Sequence, residues 1–185
     1  QLADCAAFAI SLYDANTRTL RADYVISDGQ RLDASLLPPL TIREGQPVKG
    51  RAQAILTETL ALVTDMPQTP REGLTVLGAE EEPRLPRAAL YVPMVVQGRV
   101  IGLVELQSYR PDAYDEAASA LLGPAAQQIG LAIENARLIA DLAAQRQALA
   151  RERALLLTVM DTVPDAIFVK DTEARKVLAN RTDLA

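Results

Sequence analysis

Short apolar rows punctuated by turn residues fill the first part of the chain. Ala6 to Tyr13 puts Phe8, Ile10 and Leu12 on one side at period two, and Asp14-Ala15-Asn16 supplies turn chemistry. Thr19 to Ser27 alternates again, with Leu20, Ala22, Tyr24 and Ile26 on one side, so the two rows predict a hairpin that Asp28-Gly29 ends. Leu36-Leu37-Pro38-Pro39 reads as a loop, Val48 to Thr59 as a short helix after Gly45, and Leu60 to Asp65 as a short strand. Met66 to Pro86 carries four prolines, two glycines and the acidic run Glu80-Glu81-Glu82, the texture of a long surface excursion.

The clearest hairpin follows. Ala89 to Val96 is an apolar strand, Gln97-Gly98 a tight turn with Gly where a positive φ is needed, and Arg99 to Tyr109 a longer second strand. Strict alternation places Val100, Gly102, Val104 and Leu106 on one face and Ile101, Leu103, Glu105 and Gln107 on the other, with Gly102 letting a helix approach. Glu105 and Gln107 then face a polar cavity or water.

From about residue 115 the texture becomes helical. Asp115 or a neighbour caps the start, and Gly123-Pro124 ends a first short turn or kinks it, because Pro124 has no N–H. From Ala125 nothing breaks the helix for about 39 residues, or about 60 Å. Its first half covers a sheet through Ile129, Ala132, Ile133 and Ala136. Its second half shows a heptad seam of Asn135, Leu138, Leu142, Gln145, Leu149, Glu152, Leu156, Val159 and Val163, diluted by Gln145 and Glu152. A helix this long with one apolar stripe predicts a parallel homodimeric coiled coil, its apolar seam Leu138, Leu142, Leu149, Leu156 and Val159.

Composition removes whole classes of chemistry. Of 185 residues 49% are hydrophobic and 23% charged, so the chain buries a core. The net charge of −5 offers no nucleic-acid surface, and no apolar run is long enough to span a bilayer, so no direct membrane contact is expected. There is no His and a single Cys. That excludes an imidazole base, an axial haem His, a phospho-accepting His, an internal disulfide and a zinc knuckle. No catalytic residue and no metal ligand set is assigned, and no haem or bilin cofactor is expected. Cys5 reads as a small buried hydrophobe. The Asn180-Arg181-Thr182 sequon goes unused in the reducing, cytoplasmic setting that the cysteine usage predicts.

Several of these segments resemble a known family. Leu90-Tyr91-Val92-Pro93-Met94, Gly98 and Val100 to Leu106 look like the paired strands of a GAF domain. Gln127-Gln128 and Ala132 to Leu138 look like the end of that family's last helix, and Gly50-Arg51-Ala52 with Val63-Thr64-Asp65 is similar to its central helix and short strand. Ala88 or Ala89 stands where a Ser is common, and Pro124 interrupts a helix that is usually continuous. Downstream, Val163-Pro164-Asp165-Ala166-Ile167-Phe168-Val169-Lys170-Asp171 and Val177 to Asn180 resemble the opening of a PAS domain.

The resemblance implies an α+β fold: a GAF-like antiparallel sheet flanked by helices, with a long C-terminal coiled-coil helix. It implies a GAF domain over residues 1–137 with its first helix largely missing, a signalling helix over 138–162 and the opening strands of a truncated PAS domain over 163–185. It implies a sensory or regulatory module of a bacterial multidomain signal-transduction protein, first a sensor histidine kinase of a two-component system, next a diguanylate cyclase, with PAS and output domains in the same chain. By position in the family fold, Arg51, Asp65, Tyr91, Leu103, Glu105 and Gln107 are the ligand-pocket candidates, for a small molecule of unidentified chemistry. A ligandless dimerisation module stands beside that reading, and no enzyme activity is expected of this stretch.

Overall fold

The computed structural model describes residues 5–43, 50–66 and 85–184. Gly45, the Glu80-Glu81-Glu82 run and most of the predicted excursion lie outside the described residues. The chain divides into two compact units, residues 1–134 and 135–185.

In the first unit β1 (Ala7–Asp14) and β2 (Thr19–Ser27) form the expected hairpin. Its turn is held by the Asp14 carboxylate, which accepts the Asn16 N–H at 2.9 Å, and that bond keeps the Asp14 pKa below the ordinary carboxylate value. Asp28-Gly29 does not end the pairing. With φ of 49° and 77°, the two residues turn β2 into a further strand, β3 (Gln30–Leu32). Gln97-Gly98 repeats the device with φ of 52° and 74° between β6 (Ala88–Val96) and β7 (Arg99–Ser108). Positive φ at both central residues matches the twist of the flanking strands. Between the hairpins lie a single 3₁₀ turn capped by Asp33, β4 (Leu40–Thr41), α1 (Arg51–Thr57) and β5 (Ala61–Val63). α1 ends early because Glu58 is left-handed, at φ 56° and ψ 20°. The sheet order is β3-β2-β1-β7-β6-β5, with β4 on β2 and every pairing antiparallel.

Two bulges overturn the strict alternation expected of β2 and β7. Ile10 pairs with Tyr24 but Ser11 pairs with Ala22, so Asp23 is an extra residue. Met94 pairs with Gly102 but Val95 pairs with Val100, so Ile101 is extra. One extra residue inverts the facing of everything beyond it. Leu20 therefore joins the cluster of Tyr91 and Leu103, while Tyr24 meets Phe8 edge-on at 6.3 Å. Ile101 joins Val104 and Leu106, and Val100 crosses to the Leu103 side.

Gly102 also has a different purpose from the one expected. A Cβ there would lie 2.3 Å from the Ser11 carbonyl oxygen and 2.4 Å from the Met94 methyl, so it clears the neighbouring strand and not a helix. The close approach of helix to sheet is made by a helix glycine, Gly130, whose Cβ would stand 3.1 Å from Met94 Cβ.

That helix is α2 (Glu116–Asp161), 46 residues long. Asp115 caps it, accepting the Ala118 N–H at 2.8 Å. The expected break at Gly123-Pro124 is absent and Pro124 lies inside the helix. The missing N–H leaves one carbonyl, that of Ala120, short of its partner, and Ala120 is exposed, so water can serve it. Ala118, Leu122, Ala126, Ile129 and Ile133 pack on the Leu90–Val92–Met94 face of the sheet. Ala132 and Ala136, expected to join them, are exposed. Burial of this face at about 25 cal/mol per Å² is the main stabilising term of the unit.

In the second unit β8 (Phe168–Lys170) and β9 (Lys176–Ala179) form a hairpin, followed by α3 (Arg181–Leu184). Asn180, fully buried, is its hub. Its amide donates to the carbonyls of Met160 at 3.1 Å and Asp165 at 2.8 Å, and its oxygen accepts the N–H groups of Ile167 at 2.9 Å and Asp183 at 3.1 Å. One side chain thus satisfies the last turn of α2 and both ends of the hairpin. Among the described residues no helix is long and apolar enough to cross a membrane.

Candidate functional site

The candidate site is the sheet face opposite α2. β1 reads Ala-Phe-Ala-Ile-Ser-Leu, so period two sends Phe8, Ile10 and Leu12 toward α2 and only the small Ala7, Ala9 and Ser11 to this side. Their register partners on β7 are Gln107, Glu105 and Leu103. Small residues on one strand leave room above for larger, polar ones on the next.

Glu105 fills that room. Its carboxylate is 2% exposed and takes both arms of Arg51, Nε to Oε2 at 2.6 Å and Nη2 to Oε1 at 2.8 Å. Gln107 Nε2 donates to the same Oε1. Arg51 is the first residue of α1, aimed inward because Gly50 precedes it at φ 65° and ψ −123°. A Cβ at Gly50 would come within 3.0 Å of the Tyr91 ring, so that glycine also lets Tyr91 lie flat beneath the helix start. A two-pronged, charge-assisted pair of this kind is rigid and geometrically selective.

The electrostatics follow from the pair. Glu105 holds the Arg51 guanidinium above its ordinary pKa, against the burial that lowers it. Burial first, then the Glu105 charge, push the Tyr91 phenol up, and Arg51 opposes them. Tyr91 is therefore neutral throughout the physiological range and no candidate for a base.

Of the six residues expected in the pocket, Arg51, Tyr91, Leu103, Glu105 and Gln107 share this face. Asp65 does not join them: it is at the surface, paired with Arg87 at 3.0 Å, because β5 ends at Val63 and the chain turns away. Arg51 and Glu105 line a cavity of about 40 Å³ closed by Ala9, Ser11, Leu20, Ala22, Val25, Leu37, Pro38 and Leu40. Sequence reasoning missed that wall. The small residues of β1 were a legible signal, but Ala22 beside Val25 required the bulge at Asp23, and the Leu37–Leu40 wall looked like plain loop.

Such a volume gives room for about one to three waters. Among the described residues no cluster of three or more His, Cys, Asp or Glu could hold a metal.

The four leucines and the valine of the seam are exposed. Leu138, Leu142, Leu149, Leu156 and Val159 are 49–67% exposed, without cover in their own chain among the described residues.

A twisted antiparallel sheet with α1 and a closed polar pair on one face and a long helix on the other defines an α+β fold of GAF type. The family model for the GAF domain matches residues 1–134, and the chain belongs to that family of regulatory and sensory modules. The GAF domain of a phosphoenolpyruvate-protein phosphotransferase from Coxiella burnetii is 17% identical, with a TM-score of 0.56 over 74% of this chain and 76% of that one. A GAF domain/HD domain protein from Geobacter sulfurreducens is 22% identical, with a TM-score of 0.51 over 74% and 85%. The free methionine-R-sulfoxide reductase from Neisseria meningitidis, solved in complex with its substrate, is 19% identical, with a TM-score of 0.54 over 73% and 71%. At these identities the likeness concerns the fold alone. No curated protein matches the chain.

Proposed function

We propose that this chain is the sensory and relay part of a bacterial multidomain signalling protein, a sensor histidine kinase in the first instance and a diguanylate cyclase in the second. In this reading α2 pairs with α2 of a second copy and passes a change toward PAS and output domains that follow in the same protein, in the cytoplasm. The observation that carries it is α2 itself: one helix covers the GAF sheet through Ala126 and Gly130 and then continues with a heptad of uncovered apolar residues. In this reading the first unit does no chemistry of its own. The chain has no His, and the buried carboxylate of Glu105 is committed to Arg51.

The 40 Å³ cavity favours a second reading of the input, in which the domain takes no organic ligand and relays or merely holds a conformation. Light scattering on the chain and on a version cut after Leu138 tests the relay. A dimer that becomes monomeric on cutting supports it; a monomer in both refutes it. Thermal denaturation against a panel of metabolites tests the input, since a ligand that binds only the folded state raises the melting temperature with its concentration. A flat response across the panel favours the ligandless reading.

A further inference from the structure

The seam fixes more than the fact of pairing. With Leu142, Leu149 and Leu156 at position a of the heptad and Leu138 and Val159 at d, Asp141 falls at g and Arg146 at e. Both are exposed, and among the described residues neither is in an ion pair. They are five residues apart, too far round one helix to meet each other. In a parallel, in-register pair of helices, g of one copy lies beside the e position five residues on in the other.

Resting on the dimeric-helix reading above, we propose that residues 138–159 bind the same stretch of a second copy in parallel and in register, with Asp141 of each copy paired to Arg146 of the other. The alternatives lose this match. An antiparallel arrangement sets e against e and g against g: Asp141 then finds only Asp141, Ala148 or Leu155, while Arg146 is set against Ile139, Arg146 or Arg153. A parallel stagger of one heptad pairs one Asp141 with Arg153 but leaves the other beside Ile139, and it uncovers a layer of the seam. Only the in-register pair forms two equivalent ion pairs with every apolar layer covered. The in-register pair also sets Gln145 against Gln145 and Glu152 against Glu152 at d, so these layers lower the apolar contribution and the Asp141–Arg146 pairs have to offset the like charges at Glu152.

The test uses Asp141→Arg and Arg146→Asp, each alone, both in one chain, and the two single variants mixed. Each single variant sets like charges together twice. It is expected to weaken self-association about tenfold, the mixture to form a mixed dimer in preference to either parent, and the double variant to recover wild-type association. Leu142→Cys in a Cys5→Ser background is expected to form a disulfide-linked dimer on mild oxidation, and Ala144→Cys, on the outer side, is not. A wild-type chain that is monomeric overturns the dimeric-helix reading and this proposal together. A wild-type dimer whose single variants are not rescued by mixing, and in which Leu142→Cys fails to cross-link, overturns the register while leaving the dimer standing.

Discussion

Among the described residues, the first unit packs apolar clusters on both faces of a sheet, and its deeply buried carboxylate, Glu105, has its guanidinium; the second leaves leucine after leucine in water and buries one asparagine. The first unit is specified by partners far away in sequence, as Arg51 and Glu105 are. The second is specified by a local repeat and a single hub, and in the proposed pairing the cover for its stripe is a second copy. In the proposed relay the closed unit would take the input by internal rearrangement and the open stripe would pass it on by association.

The largest effect expected is in the first unit. Arg51→Met strips the buried Glu105 carboxylate of its partner, which costs about 3–5 kcal/mol. Glu105→Leu leaves Arg51, 25% exposed, still able to reach solvent, and costs less. Urea denaturation of both variants decides the matter, and equal losses would show that solvent access does not set the difference. Gly102→Ala comes next, at about 1–3 kcal/mol, because the Ser11 carbonyl is backbone and cannot swing aside as the Met94 methyl can.

Asn180→Ala should cost about 1–3 kcal/mol in the second unit, by orphaning the Ile167 N–H and the Met160 and Asp165 carbonyls. Amide hydrogen exchange should speed up at Ile167 and at the substituted position while β6 and β7 stay protected; loss of protection in both places would erase the distinction between the units.

The smallest effect is alkaline. The Tyr91 pKa is raised in the folded state above its unfolded value of 10.0, so stability is intact below pH 10 and falls as pH rises beyond it. Between pH 9 and 11 the wild type should lose about 1 kcal/mol more than Tyr91→Phe. Parallel curves for the two proteins would place the phenol in water.

Many local signals were legible, although Asp28-Gly29 turned the chain into a further strand and Gly123-Pro124 did not end the helix. Asp14, Asp115, Gln97-Gly98 and the heptad each act within a few residues, and each is found doing what its chemistry predicts or, for the heptad, exposed as a stripe. The two bulges were not legible, because Asp23 and Ile101 are extra only with respect to partner strands. Nor was Gly130 recognised as the contact glycine, since helix-to-sheet distance is a tertiary quantity. In the site, Glu105 and Gln107 declared themselves by being polar in an apolar strand. Asp65 misled because the resemblance put it with Val63 and Thr64 in the short strand, yet β5 ends two residues before it.

The hub at Asn180 bears on where this protein can be made. Asn180-Arg181-Thr182 is a glycosylation sequon, and oligosaccharide transfer in a eukaryotic secretory pathway acts on the emerging chain, before the hairpin exists. A sugar on that amide nitrogen would sit where Met160 and Asp165 accept its protons, with no exposed surface to leave by. Sugar and hairpin exclude one another, so secretion from such a host would yield a mixture of a closed bare form and an open glycosylated one.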